Sequence, residues 1–204
     1  MKTQTQLVDY LKSSRALRSA EIIRAFNNID RKDFVLPAYE DAAYEDVPLA
    51  IGYGQSISQP FTVAFMLELL QPKLGQKILD VGSGSGWTTA LLAAIVGLGG
   101  RVFGVERHPM LIKFGLENIA KYKLPHATIS PASNELGLPG QAPFDRILVS
   151  AAAKKLPREL VGQLVVGGCM ILPIKNSVWQ VIKLSKTKII QKEFPGFAFV
   201  PLKT

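Results

Sequence analysis

Cysteine is almost missing from this chain. Cys169 is the single one among 204 residues, so no internal disulfide can form, which suits a reducing compartment. Histidine is nearly as scarce. His108 and His126 sit in different segments with no HxxxH or CxxC spacing beside them, and no metal site is expected. Long apolar runs are absent too: the longest, Ala90 to Gly97, falls well short of the roughly 20 residues that cross a bilayer. The opening MKTQTQLVDYLKSSR lacks the apolar core of a secretory signal. A cytoplasmic protein with no membrane partner is the expectation. There is no internal repeat, low-complexity tract or linker, and 204 residues hold one well-developed core but not two. A single domain over 1–204 is therefore expected, and a monomer.

Acidic residues are the scarcer charge, 16 against 24 basic ones, for a net +8. Such a balance helps attract an anionic partner, nucleic acid being the first to consider. The basic residues are scattered, however, as in Lys154 and Lys155 or Lys183, Lys186 and Lys188, with no basic run interleaved with aromatics. A solvated surface is favoured and an acidic substrate comes second. No specific nucleic-acid partner is expected.

What is present in quantity is patterned apolar sequence, 48% of the chain. SAEIIRAFNNIDRKDF places Ile22, Ile23, Phe26 and Ile29 on one helical face, with Ser19 as N-cap. An irregular acidic stretch, LPAYEDAAYEDVPLAIG, follows. From Lys77 the pattern alternates: KILDV, RVFGVE, ATIS, DRILVS and CMILPI are short and largely β-branched, whereas WTTALLAAIV, PMLIKFGLENIAKY and LPRELVGQL have helical periodicity. That alternation predicts a doubly wound α/β fold, a Rossmann-like parallel sheet covered by helices on both faces. VWQVIKLS, KIIQKEF and GFAFVPL are strand-like with short connections and predict antiparallel strands at one edge. The expected division is an N-terminal helical, substrate-side segment 1–60, a cofactor-binding core 77–174 and C-terminal strands 175–204.

ILDVGSGSGWTTALLA has the order strand, glycine loop, helix that a nucleotide-type cofactor needs. Gly82, Gly84 and Gly86 permit a tight turn and bring bare backbone, with Ser83 and Ser85, against a ligand. Glu106 ends the next strand, followed by Arg107, and its carboxylate can accept from both ribose hydroxyls. The dinucleotide pattern GxGxxG would need glycine at position 87, where Trp87 stands. A loop without that spacing suits S-adenosylmethionine, which has no pyrophosphate. Asp80 either receives the ammonium of its methionine part or stabilises the loop, and the two roles are compatible. No Walker lysine follows the loop. Nor does GSGSG fit the GxSxG nucleophile elbow, whose serine would sit at Gly84.

Upstream, GYGQSISQPFT precedes the helical run VAFMLELL. Pro60 suits the first turn of that helix, so Ser58 is expected beside free backbone N–H groups, or else Ser58 or Gln59 caps the helix. With AFNNIDRKDFVLP, AYEDVPLAIGYGQSISQP, LDVGSGSGW, APFDRILVSAAAKKLPRELVGQLVVGG and the terminal FVPL, the chain resembles the protein-L-isoaspartate (D-aspartate) O-methyltransferase family over nearly its whole length. The resemblance implies a class I methyltransferase fold with N-terminal helices. It implies S-adenosylmethionine as methyl donor, S-adenosylhomocysteine as product, and isoaspartyl proteins or peptides as substrates whose methyl esters start repair. Gln55, Ser56, Ile57 and Ser58 would form the wall where carboxylate meets methyl, with Ser58 the active-site serine, orienting rather than activating. Val200, Pro201 and Leu202 would approach the peptide.

One departure stands out. The family carries GDG after the fourth strand, its aspartate reaching the adenine amino group; aligning on Gly137, Pro139 and APFD puts Ala132, Ser133 and Asn134 there. A hydroxyl accepts more weakly than a carboxylate, by ~1 to 2 kcal/mol. Three readings stay open: a slow but genuine repair enzyme, a methyltransferase for another substrate, and a weakly active S-adenosylmethionine-binding relative. The (D/N/S)PPY-type motif of base-amino methyltransferases is absent.

Overall fold

The alternating runs after Lys77 become one sheet in the computed structural model, which describes residues 1–202. Helices α1 (Gln4–Ser13) and α2 (Ala20–Asn28) lead into a hairpin, β1 (Leu49–Gly52) and β2 (Gln55–Ile57), and then helix α3 (Pro60–Leu70). The remainder is β3 (Lys77–Val81), α4 (Trp87–Val96), β4 (Arg101–Glu106), α5 (Pro109–Ala120), β5 (Ala127–Pro131), β6 (Phe144–Val149), α6 (Arg158–Gly162), β7 (Leu164–Ile174), β8 (Ser177–Lys183) and β9 (Ile189–Pro195). The seven strands lie in the order β5-β4-β3-β6-β7-β8-β9. Pairing is parallel from β5 to β7 and antiparallel from β7 to β9, as the sequence pattern predicts.

The chain winds outward from β3 to β5, returns to the other side of β3 as β6, and continues to β7. Right-handed crossovers then force the helices of the two halves onto opposite faces. On one face Leu91 and Leu92 of α4 and Leu111 and Ile119 of α5 pack with Ile78, Val102 and Ile129. On the other, Leu160 and Val161 of α6 pack with Leu79, Val81 and Val105. The cover is unequal. Helices α1 to α5 all contribute to the first cluster, whereas α6 has only five residues.

Several expectations need correction. LPRELVGQL does not form one long helix, because the Gln163 side chain is drawn into the 136–138 loop, accepting from Leu138 N and donating to Leu136 O. The N-terminal helix does not run to Phe34. It stops at Asn28, and Asp30 caps a separate 3-10 turn, Arg31–Phe34, by accepting from Lys32 N. Ser19 occupies the N-cap position, but its hydroxyl donates to Glu68 instead of capping. The sequence pattern missed α1 and the β1–β2 hairpin. GFAFVPL is not a strand: β9 ends at Pro195, Gly196 turns at φ +96°, and Pro201 alone bridges to Ala152.

Candidate functional site

The site lies at the carboxyl ends of β3, β4 and β6, where the winding direction reverses, the usual ligand crevice of an open α/β sheet. Gly82, Gly84 and Gly86 all take positive φ (+80°, +52° and +86°), a region costly for side-chain-bearing residues. A Cβ on Gly86 would stand 2.9 Å from the carbonyl of Gly115, so this glycine serves the approach of α4 to α5. Gly82, Ser83, Gly84 and Ser85 line a cleft together with Glu106, Ile57 and Trp87.

Glu106 is buried and already occupied on three sides. Oε2 accepts from Gly84 N at 3.0 Å, and Oε1 from Arg107 N at 2.7 Å and His108 N at 3.0 Å. A carboxylate offers about four lone-pair positions, so one remains on Oε2 for a ribose hydroxyl, not the two the sequence suggested. Asp80 differs more. It is fully buried and does not line the cleft; its Oδ2 accepts from the hydroxyls of Thr88 and Thr89, each at 2.7 Å, and Oδ1 has no partner. Burial pushes its carboxyl up to about 6; the two threonine hydroxyls oppose the shift and the Glu106 charge adds to it. Thr88 does line the cleft, so Asp80 acts on it through a threonine that sequence reasoning passed over. Loop stabilisation is the role its contacts support.

Beyond Glu106 a second cavity opens, joined to the cleft through Gln55, Gly82, Glu106 and Ala151. Arg107, Ser133, Asn134 and Glu135 line it, and so do Pro201 and Leu202, which the sequence had placed at the peptide. The Ser133 hydroxyl is engaged locally, accepting from Glu135 N and donating to Glu135 O, both at 3.1 Å.

Beside the cleft lies an outer groove walled by Phe61, Phe197 and Phe199. The segment Gln55 to Ser58 divides between the spaces by the two-residue period of extended chain. Gln55 and Ile57 face only the cofactor side, while Ser56 and Ser58 reach the groove as well. Among the described residues, only Ser56, Ser58, Ser150 and Val200 border both cleft and groove. They form the neck. Ser150 was not anticipated; its one sequence signal is its place at the end of the DRILVS strand.

Neither Ser58 nor Gln59 caps α3 with its side chain. Asp46 does so from a distance: its carboxylate accepts from Phe61 N at 2.8 Å and from Gln59 Nε2 at 3.0 Å. Since Pro60 has no N–H, the first two helical positions offer a ligand nothing, contrary to expectation. Arg31, also missed, lies fully buried beneath. Its guanidinium donates to the carbonyls of Ala43, Glu45, Val47 and Ser58 and stacks 5.3 Å from the Trp87 ring. Burial lowers its pKa to about 10, with the Asp46 charge opposing, so it stays charged at neutral pH.

A glycine cleft, a ribose-ready acid and a hydroxyl neck form one connected site, and residues 2–204 match the family described as Protein-L-isoaspartate(D-aspartate) O-methyltransferase (PCMT). The chain belongs to this family. A protein-L-isoaspartate O-methyltransferase of Aeropyrum pernix is 41% identical over 98% of this chain and 79% of its own length. One from Fervidobacterium nodosum is 39% identical over 90% and 94%. Among solved structures, a Plasmodium falciparum protein assigned to the same enzyme, in complex with S-adenosyl-L-homocysteine, superposes with a TM-score of 0.86 at 27% identity, covering 100% of this chain and 99% of that one.

Proposed function

We propose that this chain transfers a methyl group from S-adenosylmethionine to the free carboxylate of L-isoaspartyl residues, and of D-aspartyl residues that fit, in proteins and peptides. S-adenosylhomocysteine is the other product. The neck carries the reading: a hydroxyl-lined gap between a glycine-and-acid cleft and a groove wide enough for a peptide. The residues fit the cofactor, since the glycines leave bare backbone, Glu106 keeps a free lone pair and the second cavity has room for a flat base. Gly82 to Ser85, Glu106, Arg107, Ser133 and Asn134 would hold it, with Asp80 supporting from below and Gly86 setting the helix packing.

When bound, S-adenosylmethionine supplies a methyl carbon made electrophilic by sulfonium. The protein need not supply a base, because a carboxylate with a pKa of about 3.5 to 4 is ionised at neutral pH. Attack forms a carbon–oxygen bond as the carbon–sulfur bond breaks, its electron pair staying on sulfur, and no proton moves. Ser58, with Ser56, orients the carboxylate so that oxygen, carbon and sulfur lie in line. Ile57, Val63 and Trp87, buried around the cleft, exclude water. The segments 1–60, 77–174 and the described part of 175–204 act as one unit, supplying substrate wall, cofactor core and groove. The methyl ester then invites attack by the following backbone nitrogen, which starts repair of damaged sites. We place this work in the cytoplasm, by a monomer; no helix among the described residues is long and apolar enough to cross a membrane.

The test is transfer of labelled methyl to a peptide with one isoaspartyl residue, beside the matched aspartyl peptide. Labelling of the isoaspartyl peptide alone is expected. No labelling of either at saturating cofactor, by the chain or by its Ser133→Asp variant, would overturn the assignment.

A further inference from the structure

Ser150 follows the last residue of β6, and its N–H donates to Val81 O of β3 at 2.9 Å. It therefore sits at the point where the sheet's winding reverses, with the cleft opening directly above. The space before it is kept clear by Gly82: a Cβ built there would lie 4.0 Å from that of Ser150, at a φ of +80° that side-chain-bearing residues avoid. Ser150 is half-buried and borders both cleft and groove.

The other neck hydroxyls, Ser56 and Ser58, come from a different element, the β2 strand and the turn after it, and border the same two spaces. Among the described residues none of the three hydroxyls has a hydrogen-bond partner in the protein, although other half-buried and buried hydroxyls, such as those of Thr88 and Thr89, do. Among the described residues, no lysine, arginine or histidine lines the cleft or the groove. The donors that the described residues offer an anionic acceptor in the neck are thus neutral hydroxyls. That arrangement leaves the carboxylate nucleophilic, where an ion pair would withdraw its charge.

A carboxylate presents two oxygens, and only one attacks. Donors on a single element would leave the group free to rotate about its bond to the chain. We propose that the Ser150 hydroxyl donates to the oxygen that does not attack, complementing Ser56 and Ser58 from a different element and fixing that rotation. The proposal rests on the carboxyl-methylation reading and adds a third substrate-binding residue to it, from the sheet side.

The experiment compares the parent chain with Ser150→Ala and Ser150→Thr in three measurements: methyl transfer to the isoaspartyl peptide, calorimetric binding of S-adenosylhomocysteine, and thermal unfolding. One hydrogen bond to a charged group sets the expected loss in kcat/KM for Ser150→Ala at about 10-fold or more. S-adenosylhomocysteine affinity and melting temperature should not move, and Ser150→Thr should recover most of the activity. Unchanged kinetics in Ser150→Ala beside an active parent overturns the proposal alone. So does an equal loss in both variants, which traces the effect to packing, or a matching loss of S-adenosylhomocysteine affinity, which assigns Ser150 to the cofactor. A parent that labels no isoaspartyl peptide overturns the carboxyl-methylation reading itself, and this proposal with it.

Discussion

Asp80 lies beneath the glycine cleft and Ser133 lines the second cavity, and their environments pull in opposite directions. Asp80 holds its proton to about pH 6 in the folded chain because burial disfavours its charge, whereas an unfolded aspartate releases it near ~3.9. Between those values the folded state binds more protons, so this group's contribution to stability falls as pH rises from about 4 to 6 and is level above. A ligand carrying an ammonium favours the ionised form. S-adenosylhomocysteine affinity is therefore expected to rise between pH 5 and 7, and Asp80→Asn to flatten that rise; parallel calorimetric profiles for the two proteins would contradict it. Ser133, exposed and tied to Glu135 by its own hydroxyl, offers little to an adenine amino group. Ser133→Asp is expected to tighten S-adenosylhomocysteine by ~1 to 2 kcal/mol, roughly 5- to 30-fold, read by the same calorimetry.

Among the elements, the junction between β2 and α3 decides where Ser58 stands. Two groups from outside the junction hold it: Asp46 caps the helix, and Arg31 ties the Ser58 carbonyl to the 43–47 loop. Asp46→Ala should cost about 1 kcal/mol of stability, as lost N-caps do, and reduce methyl transfer while leaving S-adenosylhomocysteine binding intact. Arg31→Lys is not conservative here, since an ammonium cannot reach four carbonyls as a planar fork does. Carbonyls left short of donors predict a loss of about 2 to 4 kcal/mol, measurable by urea unfolding. An unchanged midpoint would show that the loop holds itself.

For the molecule as a whole, the last described segment separates folding from function. Residues 196–202 belong to no strand, yet Gly196 to Val200 wall the groove and Pro201 and Leu202 the second cavity. A chain ending at Pro195 is expected to keep its far-ultraviolet circular dichroism, bind S-adenosylhomocysteine more weakly and lose methyl transfer. Loss of the dichroism signal instead would assign the segment to folding. The net +8 acts at this same scale. Acidic peptides should show kcat/KM falling with ionic strength more steeply than neutral ones, because the charge is spread over a screened surface.

The sheet was legible because periodicity is local: β-branched runs of five or six residues alternating with helical faces admit few arrangements. The glycine loop, Glu106 and the string Gln55 to Ser58 were legible as candidates, and the fold brings them to one cleft. What the sequence left undecided depends on distant partners. Ser19 serves Glu68 across 49 positions, Asp46 caps a helix that begins at Pro60, and Gln163 is claimed by a loop 25 residues earlier. Asp80 looks like a direct ligand in ILDVGSGSG, but it is buried behind Thr88 and Thr89 and does not line the cleft. Ser150 becomes visible only when β6 lies beside β3. Local spacing determined the alternating strands and helices from Lys77 onward and where the glycine loop lies; the tertiary structure decided the N-terminal elements, the course of residues 196–202 and which side chains face the neck, because strand order brings together residues that no spacing rule connects.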